Sequence, residues 1–133
     1  MTPSITKLPD EPIVIVTIRL PLHEYLDDIA ILNEQVAQIL ATTKGPVYRI
    51  SDGSKLDDIA FSDILLWLGE QRTSRPGSVL DSRVIPIAVG SGRMAQAGLR
   101  KLAERTGVHM PLFETLEEAV EFARAQLAQR AAS

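Results

Sequence analysis

The spacing with the clearest chemical meaning in this chain is Gly90-Ser91-Gly92-Arg93-Met94-Ala95. It satisfies G-x-G-x-x-A directly after the apolar run Val84 to Val89. In a strand–turn–helix setting such glycines let a pyrophosphate approach the backbone, and an acid beyond the next strand, here Glu114, binds a ribose. The turn also aims the unpaired N–H groups of a helix start past the carboxyl edge of a sheet, with Arg93 beside them. However, the motif lies in the third strand–helix unit and only one strand follows it. A full dinucleotide-binding sheet cannot be completed downstream, and the plainer reading is a tight turn in which Ser91 or Gly92 caps the helix. What stays open is a site for a small anionic ligand or nucleotide, built from Gly90, Ser91, Gly92 and Arg93 together with Asp52 and Ser54 of the Asp52-Gly53-Ser54 turn.

Other residue types offer less. His23 and His109 are the only histidines and lack metal-ligand spacing, and no cysteine is present for thiolate catalysis, a disulfide or a zinc ribbon. Ser51, Ser54, Ser62 and Ser91 have no G-x-S-x-G context. Asp57-Asp58 and Glu117-Glu118 read as helix-start acids. Nothing in this set argues for an enzyme, although backbone donors and carboxylates can suffice for one. No cofactor and no metal is expected. Arg93, Arg100, Lys101 and Arg105 fall mostly on the outward side of the helix after the glycine turn. They form either a solvated face with local pairs, for example to Glu104, or a surface for an anion or acidic partner.

The elements that must position these residues follow in order. Ile5 to Leu8 is a short edge strand, and Ile13 to Leu20 (IVIVTIRL) is the clearest strand, rich in β-branched residues. Pairing of the two would make an opening hairpin. Glu24 to about Thr42 is a helix whose apolar face is Ile29, Leu32, Val36, Ile39 and Leu40, stopped by Lys44-Gly45-Pro46. Val47 to Ile50 is a short strand. A second helix starts at Asp58, or at Ser62 with Phe61 and Leu66 as a hydrophobic staple. A long connection, Thr73 to Ser82, contains Arg75-Pro76-Gly77 in the order of a type II turn. Val84 to Val89, the glycine turn and a helix ending at Gly107 come next. Val108 to Phe113 is the last strand, with His109 among apolar neighbours. Thr115 and Glu118 then form a capping box for a final helix packing Leu116, Ala119, Val120, Ala123 and Leu127 inward.

This order, β(β)αβαβαβα, predicts a single α/β domain over 1–133: a mainly parallel, mixed sheet of four to five strands with four helical crossovers. Pro86 and Pro111 each remove a ladder donor, which places the last two strands at or near an edge, or calls for bulges.

The stretch from Asp52 to Leu68 resembles the STAS domain family (sulfate transporters and anti-sigma-factor antagonists). An Asp ends a strand, and Phe61-Ser62-Asp63-Ile64-Leu65-Leu66 enters an apolar helix. In the family the corresponding turn is D-S-[ST]-G-L, and its serine is phosphorylated in regulatory members. The resemblance therefore implies a STAS-like fold, a phosphosite at Ser62, and a non-enzymatic regulatory or protein-interaction role. The ordinary alternative for Ser62 is an N-cap. The chain is also similar to bacterial STAS-like proteins that carry an RPGS segment (Arg75 to Ser78) before a V-G-S turn (Val89 to Ser91). Ile59, Leu66 and Trp67, at the margin of the second helix, are candidates for a partner or homodimer surface.

Composition sets the outer limits. The chain has 133 residues, 45% hydrophobic and 23% charged, with a net charge of -3 and signs interspersed. Such a chain buries roughly two thirds of its unfolded surface without staples. No apolar run reaches the roughly 18 residues needed to span a bilayer, and Met1 to Pro12 lacks signal-peptide character. The expectation is a soluble, cytoplasmic domain that binds a protein or itself, with no nucleic acid partner and no membrane span.

Overall fold

A run of β-branched residues bounded by prolines sets an interior strand of the sheet. Ile13–Thr17 (β2) reads IVIVT, and Ile13, Val14 and Val16 are wholly buried. Burial of successive residues means that both faces of the strand are covered, as parallel strands require. In the computed structural model, the described residues are 5–18, 22–54, 68–69 and 76–132, with the backbone alone for 22–26 and 132. Ile5–Lys7 (β1) pairs antiparallel with β2, Ile5 opposite Val16. Their turn holds Asp10 at φ 58°. Val47–Asp52 (β3), Val84–Val89 (β4) and Leu112–Phe113 (β5) add in parallel, giving a five-stranded mixed sheet in the order β1-β2-β3-β4-β5.

Three helices stand among the described residues: Leu22–Ala41 (α1), Arg93–Thr106 (α2) and Leu116–Ala132 (α3). Side-chain alternation along the strands separates their contacts. Val14, Val16, Val47 and Val84 meet Ile29, Leu32, Val36 and Leu40 of α1. Ala88 shares that face and packs under α2 with Leu102 and Met110, joined by Leu68 and Val79. Ile13, Tyr48, Ile50, Ile87 and Val89 point the other way, against Ala119 and Ala123 of α3. Arg124 of α3 donates from Nε and Nη2 to the two carboxylate oxygens of Glu11 at 2.9 Å each, tying the helix to the opening hairpin. None of the described helices is long and apolar enough to cross a membrane.

Several expectations need correction. Four helical crossovers are not found: α1 and α2 each join parallel strands, but α3 follows the last strand and so crosses nothing. The second helix falls outside the described residues except for Leu68 and Gly69, which are helical. The last strand is Leu112–Phe113 and not Val108 to Phe113. Pro111 lies just before it and contributes a carbonyl to the Ala88 N–H at 2.9 Å. His109 is consequently an exposed loop residue, not a strand residue.

Pro86 is accommodated near the edge without a bulge. The N–H groups of Ala88 and Gly90 point to β5, so the nitrogen of Pro86 faces the same side, at a level the two-residue β5 does not reach. The capping box of α3 is half-made: Thr115 Oγ1 accepts the Glu118 N–H at 3.2 Å. The hydroxyl then donates to the Glu118 carboxylate at 3.0 Å.

Candidate functional site

The carboxyl edge of the sheet brings the two turns named from the sequence together. Asp52 ends β3 beside Val89, which ends β4. The Gly53 N–H donates to the Val89 carbonyl at 2.8 Å, and the Gly90 N–H to the Phe113 carbonyl at 2.9 Å. A Cβ on Gly90 would stand 4.0 Å from the Gly53 carbonyl oxygen, an ordinary contact. Asp52 is buried at 6% exposure, and its Oδ1 accepts the Ser54 N–H at 3.0 Å, an Asx turn that fixes the loop. The register sets the Asp52 side chain on the face of Val89, which is the α3 face, whereas α2 packs on the opposite one. The carboxylate therefore does not share the helix start's side of the sheet.

Gly92 is the N-cap of α2, with φ 95° and ψ 167°, and no side chain caps the helix. That backbone region is open to glycine almost alone, which explains the residue without any ligand. Ser91, Gly92 and Arg93 are exposed while Gly90 is buried. The first turn of α2 contains no acid, so within the helix nothing offsets the positive end of the dipole or Arg93. Chemically, this edge can offer backbone N–H donors and one guanidinium to an anion. Among the described residues it offers no nucleophile paired with a base. Glu114, the acid of the fingerprint spacing, is exposed just beyond β5.

Ser62, Ile59, Leu66 and Trp67 lie outside the described residues, as does Arg75; so the phosphosite and the partner surface have no structural account.

One constellation escaped the sequence reading. Arg49, in the middle of β3, is 2% exposed. Its Nη1 donates to Asn33 Oδ1 of α1 and to the Gly77 carbonyl, each at 2.6 Å. Gly77, at φ 80°, donates its own N–H to Asp81 Oδ2 at 2.7 Å. Asp81 Oδ1 accepts the Arg83 N–H at 2.9 Å, which closes the 76–83 loop on itself. A buried guanidinium thus fastens the loop to helix and sheet. The only advance signal was the Pro76-Gly77 pair, which indicated a turn but not its anchor.

No family model, curated protein or solved structure matches this chain.

Proposed function

We propose that the chain is a non-enzymatic regulatory or protein-interaction module of the STAS-like kind. The observation that supports it is the topology: an antiparallel opening hairpin continued by parallel strands in sequential order, ending in a very short strand and a long helix. That is the arrangement the resemblance implies. In this reading Ile59, Leu66 and Trp67 form the partner or self-association surface, and Ser62 is the modified serine. Sedimentation over a wide concentration range tests the self-association form. The wild type should associate and Trp67→Glu should not; a strict monomer at every concentration rejects it.

A second reading is favoured by one observation, the uncapped start of α2 beside the Asp52 turn. Here the carboxyl edge binds a small anionic ligand through Gly90, Ser91, Gly92 and Arg93. A thermal-shift screen with phosphate, nucleotides and sugar phosphates separates the two readings, since a ligand of the native state raises stability by mass action. Stabilisation lost in Arg93→Ala but retained in Arg100→Ala assigns the site to the turn. No stabilisation by any of them leaves the first reading standing.

A further inference from the structure

A shallow, open depression of about 460 Å³ lies beside α2, between the helix and the 107–111 segment that returns to the sheet. Leu99, Ala103 and Met110 line it with carbon, and Arg100, Glu104 and His109 line it with polar groups. Met110 is buried, Leu99 and Ala103 are half-buried, and the three polar residues are exposed. This is an apolar floor with a wet rim, the layout of a small recognition surface.

Charge gives the floor a direction. The chain as a whole is acidic, at -3, yet α2 carries Arg93, Arg100, Lys101 and Arg105 against one acid, Glu104. Lys101 Nζ already stands 3.5 Å from Glu104, so that acid is locally balanced. Arg93 and Arg100 are exposed and have no acidic partner among the described residues. Seven residues apart, they lie on one stripe of the helix, separated by roughly 10 Å along its axis. The result is an apolar seat with Arg100 on its rim and Arg93 two turns before it on the same stripe, neither with an acidic partner among the described residues.

We infer that this depression docks an acidic segment of another protein bearing one large apolar residue. The apolar side chain sits on Leu99, Ala103 and Met110, and flanking carboxylates meet Arg93 and Arg100. Apolar contact then supplies most of the affinity, and charge supplies orientation and association rate. The inference rests on the reading of the chain as a protein-interaction module, but it uses none of Ile59, Leu66 and Trp67.

The test is titration of the full chain with a fluorescein-labelled dodecamer of Glu and Gly containing one central Phe, followed by anisotropy and by methyl and amide NMR. The expected result is saturable binding with shifts at Leu99, Ala103, Met110 and His109. Ala103→Glu, which puts a charge into the seat, should weaken binding about tenfold. Arg100→Glu, a surface change that leaves the core untouched, should do so to a similar degree, and Lys7→Glu on β1 should change nothing. Equal binding of a dodecamer in which Phe is replaced by Gly overturns the proposal, because attraction would then be purely electrostatic. So does preferential binding of phosphatidylserine vesicles, or a dimer of the wild type that Ala103→Glu dissolves. Shifts confined to another face of the chain also reject the depression, yet leave the protein-interaction reading intact; absence of binding anywhere rejects this partner chemistry.

Discussion

Gly77 and Gly92 both hold positive φ, at 80° and 95°, and both stand at turns rich in polar groups. Their surroundings are opposite. A Cβ built on Gly77 would overlap the Asn33 carbonyl oxygen and stand 2.7 Å from the Ala37 nitrogen, whereas one built on Gly92 would meet nothing within 4 Å. The first glycine is required by a neighbour and the second only by its own backbone. The turn at Gly77 is a fastening, with its carbonyl held by Arg49 and its N–H by Asp81. The turn at Gly92 is an open end, exposed and uncapped. The lesson is that similar turn chemistry serves two purposes, which packing distinguishes and sequence does not.

The sharpest way to break this comparison is Gly77→Ala. It adds both a strained φ and an overlap with the backbone of α1, and should cost about 3–4 kcal/mol in a urea titration. A loss no greater than that of an ordinary positive-φ alanine would show that the loop is not pressed against the helix. Arg49→Met is next. It keeps the aliphatic bulk but leaves the Gly77 carbonyl and the Asn33 amide oxygen without their donor, a loss of about 2–3 kcal/mol. Combined with Gly77→Ala it should be clearly less than additive, because the two residues hold one attachment. Additive losses would mean that Arg49 and Gly77 act separately. Gly92→Ala should cost about 1–2 kcal/mol, the backbone term alone, with little change in the amide spectrum away from residues 90–95. Wider shifts would contradict the open surroundings.

The contrast explains what could be read in advance. Elements governed by local chemistry were legible: the β-branched strand at Ile13, the type II turn glycine, the stop of α2 at Gly107, and the Thr115 cap. The nearness of Pro86 to an edge was legible too, since a missing donor constrains pairing wherever the strand lies. Arg49 was not legible. Between Tyr48 and Ile50 it has no local feature that marks a buried guanidinium. Its burial depends on Asn33, sixteen residues earlier, and Gly77, twenty-eight later, and neither spacing has a local signature. The last strand was read too long because Val108, Met110 and Leu112 alternate well. Pro111 and the exposure of His109 confine the pairing to two residues. Of the candidate site, only the adjacency of the glycine turn and the Asp52 turn follows from the strand pattern, since the ends of neighbouring parallel strands lie on one edge.

The smallest predicted effect concerns the tie between α3 and the hairpin. The hydrogen bonds from Arg124 hold the Glu11 carboxyl below its ordinary value. A lowered folded value contributes stability above the unfolded carboxylate value, and this is lost as pH falls through the folded one. The pair is on the surface, so the contribution is minor. Arg124→Gln should lower the neutral-pH midpoint slightly and leave the midpoint below the folded carboxyl value unchanged, so that the acid limb flattens. An unaltered acid limb would mean that the pair adds nothing to the hairpin's attachment.

That helix has a consequence for the order in which the molecule can be finished. Among the described residues, Ile13, Tyr48, Ile50 and Ile87 find their helical cover only in α3, which follows every strand in the sequence. A chain emerging from the ribosome can therefore pair all five strands and still present one greasy side of the sheet to water. Until residues 116–132 have been made and have swung across, the nascent molecule resembles an open book with a single cover. Its vulnerability to sticking to its neighbours is concentrated in that interval. Variants that slow the docking of α3 should reduce yield in cells out of proportion to their effect on the finished fold.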